Sequence, residues 1–270
     1  RAPVGGRGLP DCSFFPGVGT DGVYTSDDAG KTWANQGLLD HYQDWKDSPY
    51  VSDGDPVIVY GPSYNPTTRT FSKTANDAYY QSLASYKPGR QPGNQAPEFI
   101  VVSRSSNNGS AWTGPSLIAN SHGITFNDKN AMWADKNPNS RYFGRLYASW
   151  TQFRGGPGLA EPIRVSYSTD GGRTWSVPRQ LSGASNNSVT GGRQGSAVRT
   201  DGKGNVYVAS EDVKNQVCAV SANGVFPPSR PPVPRPFAHP LPPTALFAAF
   251  VSGPRPISSL ARASSMNLTM

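Results

Sequence analysis

The sequence predicts an all-β chain, and three observations carry that prediction. First, 29 Gly and 26 Pro among 270 residues break the chain into short segments. Second, the apolar residues fall in short alternating runs rather than at helical spacing. Third, an eight-residue pattern recurs three times: Ser26–Trp33, Ser105–Trp112 and Ser168–Trp175. Its skeleton is Ser, then Asp or Asn two residues on, Gly two further and Trp three further. The three Trp residues are 79 and 63 positions apart.

Each part of that pattern has a structural use. Asp or Asn hydrogen-bonds its own backbone two residues on and closes a turn. Gly accepts the positive φ the turn needs. Trp offers a large apolar face to a core. Short alternating runs precede each copy: Gly22–Thr25, Phe99–Val102 and Ile163–Tyr167. Each copy therefore reads as strand, tight turn, strand.

Two further strand types recur between these hairpins. Asp55–Tyr60, Lys129–Ala134 and Gln194–Arg199 each open a unit. Gly144–Trp150 and Gly204–Ser210 follow the second and third openers. A unit is then an opener, a partner and a hairpin. Four-stranded antiparallel units in series are β-propeller blades. The second half of one blade (to about residue 39), two whole blades (about 53–120 and 127–183) and the first half of a fourth (about 193–212) are expected. That is an incomplete propeller, and it leaves strand edges unpaired.

SDDAGKTW and STDGGRTW resemble the Asp-boxes, or BNR repeats, of sialidase-like β-propellers. The resemblance covers about residues 20–212. It implies a secreted, periplasmic or cell-surface protein acting on glycans, with Asp28, Asn107 and Asp170 as structural residues away from the pocket. A sialidase needs three arginines around the substrate carboxylate, a Tyr nucleophile assisted by Glu, and an Asp acid/base. The family's Arg-Ile-Pro signature is not in this chain. Where sialidases often place Glu at a later opener, the chain has Arg193-Gln194; where they often end the next strand in Arg, it has Glu211-Asp212.

Polar residues at the starts of the openers are the site candidates, because propeller pockets lie near the central axis. Asp55, Asp128 and Glu211 are the expected catalytic carboxyls. Arg193, Gln194, Lys129 and Asp53 are the expected substrate-binding residues, with Arg193 suited to an anionic group. Glu98 and Glu161 read as strand-edge residues. The expected function is glycoside hydrolysis by a sialidase-like propeller; the alternative is a non-catalytic propeller that binds glycans or proteins.

Composition excludes other classes. No run of 18 apolar residues exists, so no membrane-spanning helix is expected. His41, His122 and His239 have no ligand spacing for zinc. Asp40, Asp44, Asp47, Asp53 and Asp55 gather hard oxygen ligands of the kind calcium takes. Their spacing matches no calcium loop, and a solvated acidic loop with Tyr42 and Trp45 partly packed beneath it is the expectation. Otherwise no cofactor is expected. The net charge of +7 belongs mostly to the end of the chain: no acidic residue follows Asp212. Nucleic-acid binding would gather that charge on a folded face with aromatics, so it is not expected. Eleven prolines lie between Pro227 and Pro256. Residues 1–212 are therefore expected to form blades, and residues 213–270 a Pro-rich tail, solvated, ligand-like or translated out of frame.

Overall fold

The computed structural model describes residues 19–90, 98–121, 125–154, 160–182, 194–212, 215–222, 224 and 235–236. For residues 211, 212, 215–217, 235 and 236 it describes the backbone alone. Most of the Pro-rich segment lies outside these residues.

The architecture is a β-propeller series of antiparallel sheets. The first sheet pairs β1 (Gly22–Thr25) with β2 (Ala34–Leu38). The second contains β3 (Tyr50–Asn65), β4 (Thr70–Tyr86), β5 (Phe99–Ser105) and β6 (Ser116–Ala119). The third contains β7 (Thr125–Ala134), β8 (Leu146–Arg154), β9 (Ile163–Ser168) and β10 (Arg179–Gln180). The fourth contains β11 (Ala197–Thr200), β12 (Val206–Asp212), β13 (Asn215–Ser221) and β14 (Arg235–Pro236). In each four-stranded sheet the strands neighbour one another in chain order. Strand pairing continues past residue 212, where the composition changes, because β13 pairs with β12 over seven positions.

Three cores lie between the four sheets. Val23, Leu39 and Trp45 meet Tyr80, Phe99 and Trp112 in the first. Tyr79, Leu83, Ile100 and Val102 meet Met132, Leu146 and Trp150 in the second. Tyr147, Ile163 and Val165 meet Val198, Val206 and Val208 in the third. Successive residues point to opposite faces of a strand, so Tyr79 and Tyr80 serve different cores. A sheet covered on both faces must be apolar or internally satisfied throughout. Within β4 the buried polar residues are Asp77, Gln81, Ser82 and Ser85. Each buried Tyr contributes about 1.5–3 kcal/mol of apolar transfer energy.

The recurring eight-residue turn has one hydrogen-bond scheme. In the first copy Ser26 donates to Asp28 Oδ1 (2.8 Å), the Gly30 N–H to Ser26 Oγ (2.8 Å) and the Thr32 N–H to Asp28 Oδ1 (2.9 Å). The third copy repeats it through Ser168, Asp170, Gly172 and Thr174 at 2.7, 2.9 and 3.0 Å. The second uses Ser105, Asn107, Gly109 and Ala111, each bond at 2.9 Å. The glycines take φ of 86°, 83° and 78°, which any other residue adopts only under strain. Hydrogen bonds from the Thr32 backbone, the Thr32 hydroxyl and Ser26 hold the Asp28 carboxyl down at about 2. This carboxylate is committed to its turn.

The β3–β4 hairpin is long, at 16 and 17 residues. Its tip leans over the third sheet. The Phe71 ring closes over Gly144, and a Cβ at Gly171 would stand 2.7 Å from Tyr64 Cβ. Between β2 and β3 lie a 3-10 turn (Leu39–His41) and the short helix α1 (Gln43–Asp47). Trp45 is buried there and donates through Nε1 to Ser103 Oγ at 2.7 Å. The half-buried Tyr42 donates to the Gly109 carbonyl at 3.0 Å.

Candidate functional site

The inner strands place the candidate residues by one repeated irregularity. The pairing register shifts between Gly54 and Val57 in β3, and between Asp128 and Ala131 in β7. Such bulges re-aim side chains. The residue at the irregularity takes a left-handed φ: 49° at Asp55 and 54° at Lys129, with 62° at Gly195 just before β11. For Asp55 and Lys129 that conformation costs about 1–2 kcal/mol each; Gly195 takes it freely. The structure thus aligns Asp55 with Lys129 and Gly195, one position away from the match that the sequence runs suggest for the third opener. Gln194 stands with Asp128.

The next residue in each strand reaches back to the preceding sheet. Asn130 Nδ2 donates to the Asp55 carbonyl (3.1 Å) and to Gln81 Oε1 (3.2 Å). Ser196 donates to Ser149 Oγ at 2.9 Å. Asn127 makes the strongest link of this kind. Its Nδ2 lies 3.1 Å from the Glu98 carbonyl and 2.9 Å from Ser121 Oγ, and Trp150 Nε1 donates to its Oδ1 at 2.8 Å.

These links bring carboxyls from two sheets together. Asp55 keeps an exposed edge, and its carboxyl lies within the electrostatic reach of Asp128. Burial raises its pKa, as does the neighbouring Asp128; Lys129 opposes them. A neighbouring carboxylate disfavours the charged form of Asp55, because like charges repel. Lys129 Nζ pairs with Asp128 Oδ2 at 3.0 Å, and its backbone N–H donates to Asp128 Oδ1 at 2.6 Å. That pairing raises the Lys129 pKa.

Glu98 stands one residue ahead of β5, with φ 72°. Burial, then the charges of Asp53, Asp128 and Asp55, push its carboxyl up to about 8. Glu98 Oε2 and Asp53 Oδ1 are buried without a hydrogen-bond partner. Asp53 is pushed up to about 6 by burial, against a hydrogen bond from Ser85 and with Asp40 adding. Asp21 reaches about 6 by burial, against Ser82, with Asp40 and Asp53 adding. Asp40 itself accepts the Ser52 N–H at 2.9 Å and the Ser52 hydroxyl.

Of the expected site residues, the structure gathers Asp53, Asp55, Asp128 and Lys129. Gln194 is placed one sheet along, where its Nε2 donates to Glu161 Oε2 at 3.2 Å. The Glu211 backbone pairs with Gln216. By register Glu211 holds in β12 the place of Thr151 in β8, which pairs with Asp128. Arg193 lies outside the described residues. Glu98 is the member of this cluster that the sequence reading passed over. One signal was present: Glu98 and Glu161 each stand seven residues before the Ser that opens a repeated turn.

The five acidic side chains between residues 40 and 55 part company. Asp47 accepts from Gln43 at 3.1 Å and Asp40 from Ser52, while Asp53 and Asp55 join the cluster. Among the described residues no group of three or more His, Cys, Asp or Glu is placed to hold a metal ion. The described helices include none long and apolar enough to cross a membrane. A cleft of about 540 Å³ lies at the far end of β3 and β4, lined by Tyr64, Phe71 and the ion pair of Asp77 with Arg104 (2.9 Å).

No protein-family model matches the chain, and no curated protein matches it. Among solved structures, the chain is similar to a Hadza microbial sialidase, with 14% identity, 78% of this chain and 40% of that one covered, and a TM-score of 0.43. It is similar to a protein of unknown function from Dyadobacter fermentans, with 17% identity, 80% and 60% covered, and a TM-score of 0.46. It is also similar to a mutant of NanB sialidase from Streptococcus pneumoniae, with 16% identity, 74% and 25% covered, and a TM-score of 0.42. The chain thus spans between 25% and 60% of the length of these three proteins.

Proposed function

We propose that this chain is part of a secreted or cell-surface sialidase-like propeller that hydrolyses glycosides, and that its three eight-residue turns are Asp-boxes. The supporting observation is the Asp55–Asp128 carboxyl pair at the bulges of two inner strands. Glycoside hydrolysis needs one carboxyl that donates a proton and one that is ionised. Asp55, held toward its neutral form by burial and by Asp128, and Asp128, ion-paired with Lys129, supply both. In this reading Asp55, the exposed member, gives its proton to the leaving glycosidic oxygen as the C–O bond breaks. Asp128 takes the proton of the water that attacks the anomeric carbon. Glu98, neutral below about pH 8, limits the negative charge beside them. Asp53, Lys129 and Gln194 contact the sugar, and Arg193 contacts an anionic substituent where the substrate carries one. Glu211 serves as a further acid/base group from the fourth sheet.

A second reading has its own observation. Retaining glycosidases hold their carboxyls about 5–5.5 Å apart and inverting ones farther, with the sugar between them, whereas the Asp128 carboxylate is already closely engaged by Lys129, at 3.0 Å from Nζ and 2.6 Å from the backbone N–H. That closeness suits a non-catalytic propeller that binds glycans or proteins by hydrogen bonds. A panel of fluorogenic glycosides, sialosides included, separates the two. Hydrolysis by the native chain, lost in Asp55→Asn and Asp128→Asn variants of unchanged Tm, upholds the enzyme. Saturable glycan binding without turnover upholds the binder.

A further inference from the structure

The far end of the β3–β4 hairpin carries chemistry separate from the inner-strand carboxyls. β3 and β4 run to 16 and 17 residues, against 10 and 9 for β7 and β8 and 4 and 7 for β11 and β12. Their pairing breaks near the tip. Pro62 faces Asn76 and Tyr64 faces Phe71, so two steps along β3 match five along β4. The surplus residues fold on themselves, with Ser72 Oγ accepting the N–H groups of Thr74 (3.2 Å) and Ala75 (2.9 Å). The cleft of about 540 Å³ opens at this bulge, and the residues lining it all come from the second sheet and its turns. The corresponding place in the third sheet is closed. Ala78 pairs with Ser105 and Leu146 with Ser168, and both serines open a repeated turn, so Asp77 corresponds to Arg145 and Arg104 to Tyr167. Arg145 stacks over Tyr167 (4.6 Å to the ring centroid) and over Tyr142 (4.4 Å). In the second sheet a carboxylate covers the cation instead: Arg104 Nη1 lies 2.9 Å from Asp77 Oδ2. The rings of Tyr64 and Phe71 pair with each other, 5.0 Å between centroids and tilted by 53°.

The lining selects a class of ligand. Its volume falls in the span of small-molecule sites, about 300–1,000 Å³. Asp77 and Arg104 are the charged residues that line it, and their charges cancel. An anion would meet Asp77 at close range and a cation would meet Arg104. An uncharged ligand that both donates and accepts hydrogen bonds meets neither penalty. Asp77 is 2% exposed and already accepts from the Ser63 hydroxyl at 2.7 Å, while Arg104 keeps 20% of its side-chain surface exposed. The Ser63 and Ser106 hydroxyls can donate and accept, and the two rings offer apolar faces. A pyranose has the matching surfaces: a face of C–H groups and a rim of hydroxyls. We propose that this cleft binds a neutral sugar ring. Tyr64 and Phe71 pack against its C–H face, and Arg104, Asp77 and Ser106 hydrogen-bond its hydroxyls. Nine positions along β3 separate Asp55 from Tyr64, roughly 25–30 Å of strand. The site therefore stands whether or not Asp55 and Asp128 are catalytic.

Lactose, maltose, cellobiose and mannobiose are the probes. Each is titrated into the intact, isotope-labelled chain, and NMR amide shifts are read along residues 63–72 and 104–106. Saturable shifts there with at least one disaccharide are expected, at a Kd of about 1 mM. Arg104→Lys keeps a cation for Asp77 and loses the planar fork. Phe71→Leu keeps an apolar cover over Gly144 and loses the ring. Each, at unchanged Tm, is expected to weaken binding about fivefold or more. Ser106 is exposed, so Ser106→Leu crowds the cleft without disturbing a packed side chain. It is expected to weaken binding about tenfold or more. Asp55→Asn is expected to bind as the native chain does. The proposal is overturned by no saturable shift with any of the four sugars at about 50 mM, or by shifts confined to residues 53–55 and 128. Equal binding by Ser106→Leu overturns it too, as does a response to glucuronate and to none of the neutral sugars.

Discussion

Glu98 and Glu161 occupy the same place in successive sheets, one and two residues ahead of a third strand, and face different partners. Glu161, only 4% exposed, meets the amide of Gln194 from the following sheet. Glu98 meets Asp53, Asp55 and Asp128. The first arrangement satisfies a buried carboxyl with a neutral donor, as buried polar groups require. The second gathers carboxyls against their mutual repulsion and keeps one of them protonated to about pH 8. Stability alone favours the first, and the second is the arrangement on which the proposed activity rests.

Activity is the widest expected separation between the two places. Asp55→Asn is expected to lower kcat/KM by about 10²–10⁴-fold, and Gln194→Ala by less than about tenfold, read on a fluorogenic glycoside. Equal losses would erase the distinction between the sheets. The links beneath the two places are the next test. Asn127→Ala leaves Trp150 Nε1 without its acceptor and cuts the clip to the Glu98 carbonyl. It is expected to cost about 3 kcal/mol in urea unfolding, against about 1 kcal/mol for Ser196→Ala in the next seam.

Titration sharpens the comparison further. Between its ordinary 4.5 and about 8, Glu98 holds a proton in the folded chain that the unfolded chain has released. Stability therefore falls as pH rises through that window. Asp21 and Asp53 act the same way, but only between 3.8 and about 6. Of these three groups only Glu98 reaches into the window between pH 6 and 8. Glu98→Gln is expected to flatten the slope there and to raise stability at pH 8 by about 2 kcal/mol, measured by denaturant titrations across pH. The smallest effect converts the quiet place into the charged one. Gln194→Glu sets a carboxyl against Glu161 in place of an amide donor and is expected to cost about 1 kcal/mol at pH 8, read in the same denaturant titrations.

Much of this was legible from residues alone. The three turns announced themselves because Ser, Asp or Asn, Gly and Trp each have one job at one position. The openers drew attention to Asp55 and Asp128 because each precedes an alternating apolar run; the structure sets both inside longer strands, at bulges. The strand β4 was not legible: Thr70–Ala78 is polar and exposed for most of its length, and its buried half is rich in Ser, Tyr and Gln rather than Val or Ile. Its burial comes from sheets on both faces, which no local pattern reveals. Glu98 was read as an edge residue for a similar reason. Its environment is made by Asp53 and Asp55 more than 40 positions upstream and by Asp128, thirty positions downstream.

The overhang of the β3–β4 tip ties residues of two sheets into inherited pairs. Phe71 lies over Gly144 and Tyr64 against Gly171, so each aromatic ring on one sheet requires the absence of a side chain on the next. Both glycines also hold a left-handed φ, 83° and 68°, so a side chain at either is strained as well as crowded. These units are therefore not interchangeable cassettes: a duplicated or shuffled copy carries rings that fit only a neighbour bearing the matching glycines.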